Sequence, residues 1–142
     1  MAAKYNSGTS VQHTFKQEAT TLFAEATVTN GGGSVSLNTG NGVSKLATIE
    51  NQGTGKYAIY WDLPAQVSLG APTIAVINNA SGSGDLWSVQ VLSKFTSYNS
   101  SPCVGYQFQV YHLSGSTEAT PANPPQNASL VITAVASTSP VF

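Results

Sequence analysis

Apolar residues recur at every second position in short runs along this chain, and small polar residues separate the runs. The clearest case is Lys56–Leu63, where Tyr57, Ile59, Trp61 and Leu63 share one side and Ala58, Tyr60 and Asp62 share the other. A period of two predicts a β-strand with one face turned to a core. Pro64 ends it. The same reading predicts strands over Thr20–Val28, Ser34–Asn38 and Val43–Glu50, with Val35 and Leu37 on one face of the second. Further strands are predicted at Leu86–Phe95, with Trp87, Val89 and Val91 together, and at Val104–His112, with Val104, Tyr106, Phe108 and Val110 inward. Ser129–Val135 closes the series with Leu130, Ile132 and Ala134 on one face, and Thr73–Asn78 is a short continuous apolar strand.

Glycine, asparagine and serine fill the gaps. Asn30–Gly33, Thr39–Gly42, Asn51–Gly55 and Asn79–Gly84 read as turns, since each offers residues that accept a positive φ. Leu113–Gln126 reads as a long polar loop, stiffened by the Ala119–Pro125 segment as a connection. No stretch has a helical period or a solenoid-length repeat. About eight closely spaced strands predict an all-β fold, an antiparallel β-sandwich or jelly roll, over residues 19–142. Residues 1–18 differ. They are polar, with scattered Tyr5, Val11 and Phe15 and no sustained period, and predict an extended N-terminal arm, either disordered or paired with a neighbour's sheet edge.

Composition sharpens the picture. Charged residues make up 8% of the 142, against roughly a quarter in ordinary domains. Arginine is absent and the net charge is -1, so there is no basic patch for a phosphate backbone and no nucleic-acid partner is expected. The length supports one core without metals or disulfides. Low net charge leaves little repulsion between copies, which suits a subunit of an assembly. The N-terminus carries no apolar signal-peptide core and no run reaches membrane-span length, so synthesis in the cytosol and no membrane partner are expected. The Asn-x-Ser triplets at Asn79, Asn99 and Asn127 then read as turn and strand-end residues.

Reactive groups are few. Cys103 has no partner for a disulfide and no adjacent base, and reads as a buried thiol. His112 ends an aromatic strand with no second ligand in view, while His13 lies in the arm. Asp62, Asp85 and Glu50 are not spaced as a glycosidase pair, and Asp85 reads as a turn residue. No serine sits in a nucleophile elbow, and the glycine clusters lack a phosphate-loop context. The expectation is a protein without enzymatic activity, metal or cofactor. The aromatics are the exception. Tyr60, Tyr98 and Tyr111, with Trp87 as a further candidate for an outward position, sit among neutral Asn, Gln and Ser, as a subunit interface or a sugar-binding surface requires.

One stretch resembles a known family. Ala24-Glu25-Ala26-Thr27-Val28, Gly33-Ser34-Val35-Ser36-Leu37, Gly42-Val43-Ser44-Lys45-Leu46 and Gly53-Thr54-Gly55-Lys56-Tyr57-Ala58-Ile59-Tyr60-Trp61 follow in order, closing at Pro64. This resembles the head domains of bacteriophage tail fibres and related phage surface proteins, trimeric β-sandwiches broadly of the tumour-necrosis-factor-like kind. Ser44-Lys45 stands where those have a serine pair, and a short arm stands where they have a shaft. The resemblance implies a phage virion structural protein: a trimeric capsid decoration (cement or head-fibre) protein on the major capsid protein, with Tyr5, Val11 and Phe15 as capsid or subunit contacts. The alternative is a receptor- or glycan-binding tail-fibre tip that meets host surface glycans through Tyr60, Tyr98 and Tyr111. A hydrolase on the same scaffold is a third reading. The resemblance implies no catalytic residues.

Overall fold

The computed structural model of the chain describes residues 19–29, 34–38, 47–63, 67–77, 86–113 and 118–138. Tyr5, Val11, Phe15, His13 and Asp85, and the turns expected at 30–33, 39–42 and 79–84, lie outside them. None of the described residues is helical. Two antiparallel sheets pack face to face as a β-sandwich.

The first sheet, sheet A, holds β1 (Ala19–Thr29), β2 (Ser34–Leu37), β5 (Val67–Leu69), β6 (Thr73–Ile77) and β10 (Ser129–Thr138), in the order β2-β1-β10-β5, with β6 also on β10. The second, sheet B, holds β3 (Ala47–Gly53), β4 (Lys56–Trp61), β7 (Leu86–Tyr98), β8 (Ser101–Leu113) and the short β9 (Thr120–Pro121), in the order β3-β4-β8-β7, with β9 beside β8. The chain passes from one sheet to the other after β2, β4, β6 and β9. β5 and β6 both pair with the same edge of β10, at Ala136–Thr138 and Ser129–Thr133. They act as one edge strand kinked at Gly70–Pro72, and with the two-residue β9 set aside the principal strands number eight. Proline at such a kink removes no ladder hydrogen bond.

The core divides its labour by size. Sheet B supplies the aromatic residues Tyr57, Trp61, Tyr106 and Phe108 with Ile59, whereas sheet A faces them with Ala24, Ala26, Ala134 and Ala136 among the aliphatic Leu22, Val28, Leu69, Leu130 and Ile132. Large residues opposite small ones let two inner faces interdigitate without voids. The aromatic rings meet edge-on or tilted: Trp61 and Tyr106 lie 6.4 Å apart at 85°, Tyr57 and Phe108 5.5 Å apart at 31°. The kink between β5 and β6 frees two carbonyls, which sheet B uses. The Lys94 ammonium donates to the Leu69 oxygen at 2.9 Å, and the Tyr106 hydroxyl donates to the Gly70 oxygen.

Several expectations change. β3 runs on through Asn51–Gly53, so only Thr54–Gly55 turns. Gly55 has φ +67°, and a Cβ there would strike the Ala122 and Val110 carbonyls and the Gln109 side chain. The Gly55 amide donates to Asn123 Oδ1 at 2.7 Å. The Ala119–Pro125 connection therefore clamps the β3–β4 turn, and it is not a wholly polar loop: Pro124 is fully buried. Thr73–Ile77 alternates rather than being continuously apolar inside; Ile74 and Val76 pack on the core and Ile77 is exposed. β5 was not foreseen, because three residues carry too little pattern to read.

The largest change is in β7. Its pairing with β8 shifts between Val91 and Ser93 and again between Phe95 and Ser97. An extra residue in one strand reverses which side every later residue faces. Trp87 and Val89 pack on the core as expected, and Trp87 stacks on His112 at 4.4 Å rather than facing outward. Val91 opposes the core residue Phe108 yet remains 39% exposed. Beyond the bulge Lys94 opposes Tyr106 and Phe95 opposes Gly105, so Phe95 points to the outside of sheet B.

Candidate functional site

The outer face of sheet B carries the most chemically differentiated surface among the described residues. One row across the sheet reads Thr48, Tyr60, Gly105, Phe95. Gly105 is the key to that row. A Cβ on it would overlap the Ile59 carbonyl and lie 2.6 Å from Tyr60 Cβ. Without one, the flanking rings lean over the glycine: Tyr60 and Phe95 approach to 6.4 Å. Tyr98 completes a three-ring cluster, stacked on Tyr60 at 4.8 Å and 30° and tilted against Phe95 at 5.4 Å.

Polar side chains fix the rings. The Tyr60 hydroxyl donates to Glu50 Oε2 at 2.8 Å. Gln52 Nε2 donates to the Tyr98 hydroxyl at 2.6 Å, and Gln107 Nε2 donates to Gln52 Oε1 at 2.6 Å. Gln52 sits at a register shift of β3, which brings its side chain into this network. Burial pushes the Tyr60 hydroxyl up to about 12, and the hydrogen bond and negative charge of Glu50 push the same way. The phenol therefore stays a donor across the physiological range.

Beside the cluster lies an open cavity of about 330 Å³. Tyr60, Tyr98 and Pro102 give it apolar surface, and Thr48, Asp62, Asn99 and Ser101 give it polar groups. Cys103, 3% exposed, also borders it. Burial, and then the charge of Asp62, push its thiol up, so it holds its proton and is a poor nucleophile. The rim is the two-residue β7–β8 turn, Asn99–Ser100, with φ of +49° and +65°. Two successive positive φ values are the geometry that matches the twist of a tight hairpin.

The sequence named Tyr60, Tyr98 and Tyr111 as surface aromatics. The fold brings Tyr60 and Tyr98 into contact, but they lie 38 residues apart in a chain whose spacing gives no hint of it. Tyr111 is on the same outer face but apart from the cavity, six residues along β8 from Gly105, or about 20 Å at strand rise. Its hydroxyl donates to Gln90 Oε1 at 3.2 Å. Phe95, Gly105, Gln52 and Gln107 were missed. Only Gly105, a glycine inside an otherwise bulky strand, left a readable signal. Cys103 is buried as expected. Among the described residues no three His, Cys, Asp or Glu side chains gather as metal ligands.

The outer face of sheet A is the counterpart. Strand alternation turns Phe23, Glu25, Val131, Thr133, Val135, Ala75 and Ile77 to that side. Glu25 is the one charged side chain among the described residues there. Val135 and Ile77 are each 48% exposed.

No protein-family model matches the chain, and no curated protein or solved structure is similar to it.

Proposed function

We propose that this chain is a non-enzymatic structural protein of a bacteriophage virion, a homotrimeric decoration subunit seated on the major capsid shell. The outer face of sheet A carries the reading. It is a regular, unbulged surface with exposed Val135 and Ile77 and a single carboxylate. Exposed apolar side chains at both ends of one nearly uncharged face suit burial against another protein surface. The low overall charge and the resemblance of the Thr21–Pro64 region to phage surface domains point the same way. The arm, with Tyr5, Val11 and Phe15, would add a second contact to a capsid subunit or sister copy, and many weak contacts across a shell sum to firm attachment.

The test is a stoichiometry. Mass spectrometry of purified particles from the source should find this chain at copy numbers comparable to the major capsid protein. A handful of copies per particle would move the protein to a tail or fibre tip, and its absence from particles would end the virion reading. A Val135→Lys, Ile77→Lys double variant should fold with stability within about 0.5 kcal/mol of the parent, because both side chains are surface-exposed. It should lose trimerisation or particle attachment by sedimentation. Unchanged association would clear sheet A of that role.

A further inference from the structure

We propose that the cavity beside Tyr60 and Tyr98 on the outer face of sheet B is a binding site for a neutral saccharide. The proposal concerns a different face from the docking surface and does not depend on where the protein resides.

The chemistry of the cavity selects this ligand class. Its two tyrosine rings and Pro102 offer apolar surface to the C–H face of a sugar ring. Asp62, Asn99 and Ser101 offer an anionic acceptor, an amide and a hydroxyl to its hydroxyl groups. Charge-assisted hydrogen bonds from vicinal hydroxyls to a carboxylate are the strongest available here. Among the described residues no lysine, arginine or histidine borders the cavity, and Asp62 repels anions, so phosphorylated, sulfated or sialylated ligands are disfavoured. A quaternary ammonium needs rings set around it as a cage. Tyr60 and Tyr98 instead stack on each other at 4.8 Å, which closes the space between them. The cavity, about 330 Å³, lies at the small end of the roughly 300–1,000 Å³ range of ligand sites, which suits a short segment of a glycan.

The site is also preorganised. The tyrosine hydroxyls are already held by Glu50 and Gln52, and Gln52 by Gln107. The rings therefore need no ordering when a ligand arrives, which lowers the entropic cost of binding. Asn99 is placed by a tight turn rather than a long loop.

The experiment uses the full chain on a printed panel of neutral hexose and N-acetylhexosamine oligosaccharides beside sialylated and sulfated ones, followed by calorimetric titration of the best neutral binder. Binding to at least one neutral oligosaccharide is expected. Asp62→Asn should weaken it by about tenfold or more, as loss of a charge-assisted hydrogen bond predicts. Tyr98→Ala should do the same, and Tyr111→Ala should leave it unchanged. Asp62 is exposed, so its variant tests the site even if Tyr98→Ala unfolds. No neutral binder on the panel, a preference for acidic glycans, or neutral binding indifferent to Asp62→Asn would each overturn the proposal. Particle stoichiometry is read separately, so either conclusion can fail alone.

Discussion

The two outer faces of the sandwich are made from the same backbone geometry and end with opposite characters. Sheet A pairs β1 with β10 through nine successive residues without a slip. Its outer face accordingly repeats Thr, Val and Ala, with Phe23, Ile77 and one carboxylate among them. Sheet B slips in register three times, once in β3 and twice in β7. Each slip re-aims side chains, and the outcome is an aromatic cluster, a bonded glutamine chain and a cavity on one surface. Among the described residues every tyrosine and both tryptophans belong to sheet B, and Phe23 is the one aromatic on sheet A. Regular pairing keeps one alternation along a face; interrupted pairing re-aims side chains and can bring unlike groups together.

The strongest way to break this contrast is Gly105→Ala. The new Cβ meets backbone on one side and Tyr60 on the other, and neither can give way cheaply. A loss of about 3 kcal/mol in denaturant unfolding is expected, as for an overpacked core position. The three-ring cluster should separate with it, while the β1–β10 pairing stays protected in hydrogen exchange. Equal loss of protection in both sheets would mean that the faces are not independent.

Alkaline titration separates the faces by their tyrosines. Tyr60 and Tyr106 are each raised to about 12 and Tyr57 is raised as well, with burial the leading cause in all three. Between the ordinary tyrosine value near 10 and 12 the folded state keeps protons that the unfolded chain has released. Stability is therefore full below pH 10 and falls as pH rises toward 12. Tyr60→Phe removes one of these groups and the Glu50 hydrogen bond. It should cost about 1 kcal/mol at neutral pH and flatten the alkaline decline. A decline as steep as the parent's would show that Tyr60 does not contribute to it.

The smallest expected effect sharpens the comparison at the rim of the cavity. Ser100 occupies a left-handed conformation that favours glycine. Ser100→Gly should raise stability by about 0.5–1 kcal/mol without moving Asn99. A fall in the melting temperature would imply that the Ser100 side chain makes a contact worth more than the backbone strain it carries.

Sheet A was largely readable, because strands of alternating residues need only their own neighbours to declare which side is buried. Leu130, Ile132 and Ala134 share one face on the sequence, and the fold buries that face. The inner face of sheet B was readable for the same reason: Tyr57, Ile59 and Trp61 on β4, and Tyr106 and Phe108 on β8. Its outer face was not. Tyr60 and Tyr98 could be named as surface aromatics, but their contact depends on β8 lying between β4 and β7.

Phe95 was assigned to the end of an alternating strand that the bulge inverts. A bulge is one residue without a partner, and the partner is on another strand. The sequence by itself determined the class of fold, most of the strands and the large residues of the core, since hydrophobic periodicity is a local property of the chain. The tertiary structure alone decided register, and with it the assembly of Tyr60, Phe95, Tyr98 and Asp62 beside one cavity, because register is set by hydrogen bonding between strands distant in sequence.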